Sequence, residues 1–437
     1  MRNNLVYMYF LGGIMLLKFK FKNYKSFKEE VCLDLTATKI TEFSDRNFEV
    51  GNIKVLPIAS IFGANASGKS NVMEAFRFMV DYVIMSLNFA GGQINPALQN
   101  RVIKPTPFLF DSKSENEGSK FEIYFVMNND KAERIYQYGF IFNNGMIEEE
   151  WLYSKAKTSR EGFKSIFYRS KDENDYSGLE KDKIKNIEVS MQKETLILTL
   201  GAKLNETLLN NIYNWFSKIM YIDFGNIAES IMLYQGVGIS RLMLEKKMQD
   251  EMVKYISSFD ESIKGMDANE REIDPVTKRK IIEVNFHHKK NDSNEIKPLP
   301  MQLESAGTQK MFILFPYFNN ILKNGQVIFI DELNSRLHPL LIRTIIQMFT
   351  NSEMNKNNAQ LIFTSHDIWQ LKSDVMRRDE IWFTEKNERG ESSLYSLSDF
   401  IDENGEKIRK DEDYQKNYIL GKYGAIPNLK GFEGVFD

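Results

Sequence analysis

The sequence contains the glycine-bounded loop Gly63-Ala-Asn-Ala-Ser-Gly68-Lys69-Ser70. It follows an apolar run, Leu56 to Phe62, and precedes a helical pattern that extends from Lys69 to about Asn88. Glycines let the backbone curl so that successive N–H groups face phosphate oxygens, and the positive end of the helix adds to that attraction. Strand, loop and helix in this order predict a P-loop that binds a nucleotide.

Each residue of the loop has an expected role with ATP. Lys69 would reach the β- and γ-phosphates, and the hydroxyl of Ser70 would coordinate Mg²⁺. The rest of the loop would surround the phosphates with backbone N–H groups. The candidate nucleotide-binding residues here are Asn65, Ala66, Ser67, Gly68, Lys69, Ser70 and Asn71.

A second apolar strand, Val327 to Ile330, ends in two acids, Asp331 and Glu332. Carboxylates at the end of a buried strand are costly unless a cation or hydrogen bonds await them. Asp331 is therefore predicted to hold Mg²⁺ through water, and Glu332 to orient and deprotonate an attacking water. Because much of the chain separates this strand from the P-loop, we expect a substantial insertion into the nucleotide domain.

A third apolar strand, Leu361 to Phe363, delivers the polar cluster Thr364-Ser-His366 at its end. A histidine held rigidly at that place could sense or polarise the γ-phosphate, so His366 is a catalytic candidate. The adjacent pair His287-His288 has no cysteine or acid at a suitable spacing. We expect that pair to be a feature of a strand surface rather than a metal site.

The segment Ser305-Ala-Gly307 stands directly before a helical pattern, Lys310 to Leu322. Ser305 is a reasonable N-cap, and Gly307 lets a ligand approach the start of the helix. An anion-binding site that is separate from the P-loop suggests that one subunit completes the pocket of another. An ordinary helix cap is the alternative.

Composition bounds the class of protein. The chain has 437 residues, 42% hydrophobic and 27% charged, which is a globular composition of more than one usual domain length. Its single cysteine, Cys32, cannot form an intramolecular disulfide. The net charge of −3 does not indicate a generally basic nucleic-acid binder, although a local basic patch is compatible with it.

The apolar run Leu5 to Leu17 is too short to span a bilayer, which takes about 20 residues. It also lacks the small-residue cleavage site of a signal peptide. Met15 is a more natural start, so residues 1–14 are expected to be an upstream-start extension. The prediction is a cytoplasmic protein with no membrane partner.

Strands that alternate with helices near glycine loops predict an α/β fold with a parallel sheet. Residues 120–155 predict a β-meander, residues 159–193 predict loops, and residues 194–266 predict short helices. The expected domains are 1–14 as extension, 15–200 as the N-terminal lobe with P-loop and β-meander, 201–270 as a helical insertion, 271–398 as the C-terminal ATPase lobe, and 399–437 as a tail.

The order of these motifs resembles the ABC-type ATPase heads of the SMC and RecF class. It is more similar still to the stand-alone AAA-15/AAA-21 ATPases of phage-defence loci. The resemblance covers residues 15–427 and includes Phe21-Lys-Asn23-Tyr24-Lys-Ser26-Phe27, Asp331 to Pro339 and Tyr418 to Pro427. The last of these is similar to the ATPase subunits of the RloA and AbiLi type and of PARIS systems.

The resemblance implies an SMC/RecF-like head with a P-loop sheet, a β-rich N-terminal lobe and a short helical insertion. Two ATP molecules would lie between two protomers of a homodimer or higher homo-oligomer. Ser305 and Gly307 would contact the γ-phosphate held by the other protomer, and Asn334 to Leu337 would be the D-loop at the interface. In this chain the signature sequence of ABC-type ATPases is Ser305-Ala-Gly-Thr-Gln309, which departs from the Leu-Ser-Gly-Gly-Gln of ABC transporters. Gln93 and Gln99 are candidates for the Q-loop glutamine only by their position.

The resemblance also implies an ATPase, hydrolysing ATP to ADP and phosphate, that senses an invader and controls a separate effector in antiviral abortive infection. The effector would be a Toprim or RloB-like nuclease on another chain, because too few residues follow His366 for a Toprim domain. One alternative is a DNA-repair or chromosome-structure clamp, with DNA across the paired heads. Another is an ATP-bound scaffold that holds an effector inactive.

Overall fold

Two large β-sheets organise the chain. The computed structural model describes residues 14–88, 104–129, 132–157, 162–226, 241–274, 279–401 and 405–427. The strands are β1 (Met15–Lys22), β2 (Val31–Asp34), β3 (Phe48–Val50), β4 (Ile53–Val55), β5 (Ile58–Gly63), β6 (Ser119–Asn129), β7 (Ala132–Asn143), β8 (Met146–Ala156), β9 (Lys164–Arg169), β10 (Asn174–Asp175), β11 (Met220–Asp223), β12 (Ile263–Asp274), β13 (Arg279–Lys289), β14 (Ile296–Pro300), β15 (Val327–Asp331), β16 (Gln360–Thr364), β17 (Ile381–Lys386) and β18 (Ser392–Ser396). The helices are α1 (Lys69–Met85), α2 (Ser112–Asn116), α3 (Lys181–Ser190), α4 (Ile197–Lys203), α5 (Thr207–Phe216), α6 (Lys246–Ser257), α7 (Ala306–Asn324), α8 (Pro339–Thr350) and α9 (Tyr414–Ile419).

The nucleotide motifs lie on a six-stranded sheet in the order β11-β15-β16-β5-β17-β18. The first five strands are parallel, and only β18 runs antiparallel. Every residue of β5, β15 and β16 is buried, which explains their nearly continuous apolar sequences. The predicted α/β fold with a parallel sheet is confirmed, and its strands deliver their carboxyl ends to one edge.

Helix α1 lies between this sheet and an antiparallel sheet of order β10-β9-β8-β7-β6-β1-β2. Phe76 stacks on Phe329 of β15, with ring centroids 3.8 Å apart. Phe78 packs on Phe121 of β6 at 4.7 Å. A helix covered on two sides must be apolar around most of its circumference, as the sequence of α1 is.

The β-meander predicted over residues 120–155 is present as β6, β7 and β8. The expectation of loops over 159–193 is wrong for Lys164–Arg169 and Lys181–Ser190, which form β9 and α3. Strand β9 continues the meander by pairing with β8 and buries Phe167 completely. Ile166 and Arg169 are buried beside it, whereas Lys164, Ser165 and Tyr168 are exposed or half-buried, so the strand mixes polar and apolar residues as a loop does.

The segment 201–270 is not a purely helical insertion. Besides α5 and α6 it contains β11, which pairs parallel with β15 and places Asp223 opposite Asp331. Strand β11 has four residues, too few to establish a period against its helical neighbours. Trp215 of α5 stacks on Phe125 at 4.7 Å, so this part of the segment shares the core of the N-terminal lobe. The domain boundaries themselves stay a prediction.

A third sheet, β12-β13-β14, packs with α6 and α7 around a separate core. The C-terminal part returns to the six-stranded sheet, where Tyr418 stacks on Phe383 of β17 at 5.4 Å. In the described part of the chain, no helix is long and apolar enough to cross a membrane. Residues 1–13, which hold most of the predicted extension, and both Q-loop candidates lie outside the described residues.

Candidate nucleotide-binding site

The P-loop needs glycine at its two ends. Gly63 has a φ of +152° and Gly68 a φ of +119°, in the region that favours glycine. A Cβ on Gly63 would lie 2.4 Å from the carbonyl oxygen of Thr384, and one on Gly68 would lie 2.8 Å from Oγ of Ser392. The loop therefore fits tightly against β17 and β18, and larger residues would displace it.

Lys69 is the first residue of α1, and its side chain lies beneath the loop. Its Nζ donates hydrogen bonds to the carbonyl oxygens of Gly63 and Ala64, each at 2.9 Å. Burial lowers the pKa of Lys69 to about 8, while the carboxylates of Asp331 and Glu332 act in the opposite direction. The ammonium is thus held where a phosphate on the loop would meet it.

Hydrogen bonds of three serines connect the P-loop to β17, to β18 and to the N-terminal motif. Oγ of Ser67 is 2.6 Å from Oγ1 of Thr384, and Ser392 donates to the carbonyl oxygen of Ser67 at 2.7 Å. Ser26 accepts from Nδ2 of Asn71 at 2.7 Å, which joins the N-terminal motif to the start of α1. Among the predicted ligands, Ser67 therefore has its hydroxyl committed to β17, and the residue lines a neighbouring pocket of about 710 Å³ rather than the one that holds Lys69.

The structure brings the predicted P-loop, Glu332 and His366 into one pocket of about 760 Å³. Its lining residues come from the loop, from the ends of β15 and β16, and from the end of β17. They are Asn65, Ala66, Gly68, Lys69, Ser70, Asn71, Glu332, His366 and Lys386. Motifs far apart in the sequence meet here because parallel strands end at the same edge of their sheet.

Thr364, at the end of β16, fixes both acids of the neighbouring strand. Its hydroxyl donates to Oδ1 of Asp331 and accepts from the backbone N–H of Glu332 at 2.8 Å. Asp331 is 2% exposed, and it is not among the residues that line the pocket. Glu332 faces the pocket from a backbone with φ of +53°, and its carboxyl carbon would lie 3.1 Å from a Cβ on Gly225.

His366 faces the same pocket as Lys69. Its backbone N–H donates to Oδ1 of Asn334 at 3.0 Å, which ties His366 to the predicted D-loop. Burial lowers the pKa of His366, and the charge of Lys69 lowers it further. The imidazole is thereby favoured in its neutral form near pH 7.

The residues present fit a Mg²⁺ ion that is bound together with a nucleotide. Among the described residues, no group of three or more His, Cys, Asp or Glu could hold a metal ion by itself. Mg²⁺ usually keeps several waters and binds through one or two carboxylates plus substrate phosphates. Ser70, exposed in the pocket, and Asp331, oriented by Thr364, supply oxygen ligands of that kind.

Ser305 and Gly307 do not line this pocket. Ser305 is the N-cap of α7, and its Oγ accepts from the backbone N–H of Thr308 at 3.1 Å. The residue is exposed, as is Leu303 nearby, which is 69% exposed. Within one chain the two predicted halves of the site are therefore separate surfaces.

Sequence reasoning missed several residues that shape the pocket. Thr384 and Lys386 end β17, where the apolar run Ile381 to Phe383 and its polar end give the same signal as β15 and β16. Lys310 of α7 is 0% exposed and donates to carbonyl oxygens of the Glu332 turn. No sequence pattern distinguishes it from a surface lysine.

The pair His287 and His288 contacts carboxylates of Asp267 and Glu304, each at 2.7 Å.

Residues 58–368 match the family model described as "AAA domain, putative AbiEii toxin, Type IV TA system". The chain belongs to this family. The match spans both the P-loop and the strand that carries the two acids, so both motifs belong to the AAA domain of this chain. No match was found among curated proteins.

Among solved structures, the chain is similar to the SMC head domain from Thermotoga maritima. The TM-score is 0.41 at 13% identity, and the match covers 87% of this chain and 98% of that chain.

Proposed function

We propose that this chain binds ATP with Mg²⁺ and hydrolyses it to ADP and phosphate at an interface between two copies. We further propose that this cycle controls a separate effector in antiviral abortive infection. The observation that carries the ATPase proposal is the single pocket that joins Lys69, Glu332 and His366. The defence role rests on the resemblance of the tail and N-terminal motifs to phage-defence ATPases.

In the proposed reaction, the P-loop backbone and Lys69 bind the β- and γ-phosphates. Mg²⁺ would be held by Ser70 and Asp331 and would neutralise charge that develops on the phosphates. Glu332 accepts the proton of the attacking water through its carboxylate, while the Thr364 hydroxyl holds its backbone N–H. Neutral His366 donates a hydrogen bond to the transferred phosphoryl group.

A second copy would supply what this pocket lacks. Ser305 and the N-terminus of α7 are exposed, and a helix N-terminus favours an anion. Placed against the γ-phosphate of the partner, they would join the two copies only while ATP is intact. Hydrolysis would then release the interface, which is the step that could signal to an effector.

The test is the native mass of the Glu332→Gln protein, purified with its own gene neighbours, with and without ATP and Mg²⁺. The proposal expects an ATP-dependent assembly of two or more copies that carries a second polypeptide. An unchanged monomer with ATP bound would contradict the shared site. An ATP-dependent dimer that captures DNA at low salt and loses it steeply as salt rises would favour a DNA clamp instead.

A further inference from the structure

Lys310 is a buried lysine whose hydrogen bonds all go to one turn. Its side chain is 0% exposed, on the second turn of α7. The Nζ donates to the carbonyl oxygens of Ser335 at 2.7 Å and Leu333 at 2.8 Å, and it lies 3.4 Å from that of Glu332. An ammonium has three donors, so this turn uses its full capacity.

The turn that Lys310 holds is strained where Glu332 stands. A φ of +53° is uncommon for a residue with a side chain and persists only when the surroundings impose it. Thr364 holds one side of the turn. Its hydroxyl accepts from the backbone N–H of Glu332 at 2.8 Å, and its carbonyl oxygen accepts from the backbone N–H of Leu333 at 3.1 Å. Lys310 fixes the other side through the carbonyl oxygens.

The two shorter hydrogen bonds of Lys310, to Leu333 and Ser335, do not require its charge. Burial lowers its pKa to about 6, and the Glu332 carboxylate acts in the opposite direction. Either the ammonium or the neutral amine has N–H groups to donate to the turn. The ring of Phe224 lies 3.6 Å from Nζ and closes the space beside it.

Resting on the ATPase function proposed above, we propose that Lys310 is a positioning residue that holds the Glu332 carboxylate in place for water activation. It makes and breaks no bond in the reaction, and the proton of the attacking water goes to Glu332. Because Lys310 lies on the second turn of the helix that Ser305 caps, Lys310 also links the surface offered to a second copy with the base of its own pocket.

The test is a double-mutant cycle of Lys310→Met with Glu332→Gln, followed by single-turnover hydrolysis of ATP. Lys310→Met alone should lower the hydrolysis rate about tenfold or more, because a general base typically contributes 10²–10⁴-fold and is here displaced rather than removed. Its ATP affinity should change less than about threefold, since the P-loop is intact. In the Glu332→Gln background, Lys310→Met should lower the hydrolysis rate less than about twofold, as expected when one residue acts through the other.

Controls separate positioning from general destabilisation. Asn355 is 3% exposed and, like Lys310, binds carbonyl oxygens, those of Phe349 and Ala359, but at the amino end of β16. Asn355→Ala should lower the melting temperature without lowering the hydrolysis rate per folded molecule. Lys310→Gln keeps two N–H donors and should regain part of the lost rate. If Lys310→Met fails to fold, the cycle is run with Lys310→Gln.

Equal rate losses in both backgrounds, or no loss in either, would overturn the role of Lys310. Failure of the proposed function gives another pattern, in which the unmodified protein binds ATP and Mg²⁺ yet produces no ADP. The two failures are therefore distinguishable in one set of reactions.

Discussion

At the scale of single residues, the site is prepared by groups that bind one another. Lys69 is held by the carbonyl oxygens of Gly63 and Ala64, and Thr364 aligns Asp331 with Glu332. These contacts fix donors and acceptors before a nucleotide arrives, which reduces the ordering cost of binding. The charge state of Lys69 then decides how strongly the loop attracts phosphate.

ATP affinity should fall as pH rises through about 8, because burial lowers the pKa of Lys69 to about 8 and the charge that attracts phosphate is lost above it. The fall should approach about tenfold per pH unit until the pKa of Lys69 in the complex is reached. The measurement is an ATP titration from pH 6.5 to 9.5. Lys69→Met, the control, should bind weakly at every pH. The same decline in that variant would assign the titration to another group.

The sequence predicts residues whose role is local and misses those whose role depends on distant contacts. The P-loop, Glu332 and His366 meet in one pocket, as the motifs predict. Ser67 matches the motif as well, yet its hydroxyl binds Thr384, more than three hundred residues away in the sequence. Lys310 is defined by carbonyl oxygens of a turn outside its own helix, 23 to 25 residues further along the sequence.

At the scale of elements, α1 connects the nucleotide to both sheets. Its first residue is Lys69. Among its buried residues, Phe76 contacts both sheets and Phe78 contacts the antiparallel sheet. Phe76 is 1% exposed, with Phe329 on one side and Phe19 on another at 5.0 Å. The position of the P-loop therefore depends on how well this helix is packed.

Phe76→Ala should lower the free energy of unfolding by about 3–5 kcal/mol, because it removes a ring from a closely packed core and leaves a cavity. ATP affinity should fall with it, since α1 carries Lys69. Chemical denaturation, followed by ATP titration under folding conditions, measures both effects. Phe110→Ala is the matched control: its ring is 77% exposed, so we expect a loss of about 1 kcal/mol or less. Equal losses in the two variants would contradict this packing.

Elements with strong periodicity are predictable from the sequence, and short or half-exposed ones are not. The meander, α1, α7 and the strands of the motifs all lie where their patterns place them. Strands β9 and β11 are not predicted from the sequence, because β9 is half polar and β11 has only four residues. Both gain their stability from pairing with a neighbour, β8 or β15, which a local pattern does not contain.

At the scale of the whole molecule, the proposed site is divided between two surfaces of one chain. The P-loop pocket faces outward with Glu332 and His366, while Ser305 and the start of α7 form a separate exposed surface. A second copy joins them in the proposal, which makes ATP the link between subunits. The separate effector and the defence role are then questions about what this assembly contacts.

Hydrolysis of ATP in this pocket with Glu332 as the base is measured by steady-state phosphate release from the unmodified protein and from Glu332→Gln, at saturating ATP and Mg²⁺. We predict turnover by the unmodified protein. Glu332→Gln should bind ATP with similar affinity. Its rate of phosphate release should be lower by a factor of about 100 or more, as expected when a general base is lost. Equal turnover by the two proteins would show that Glu332 is not the base.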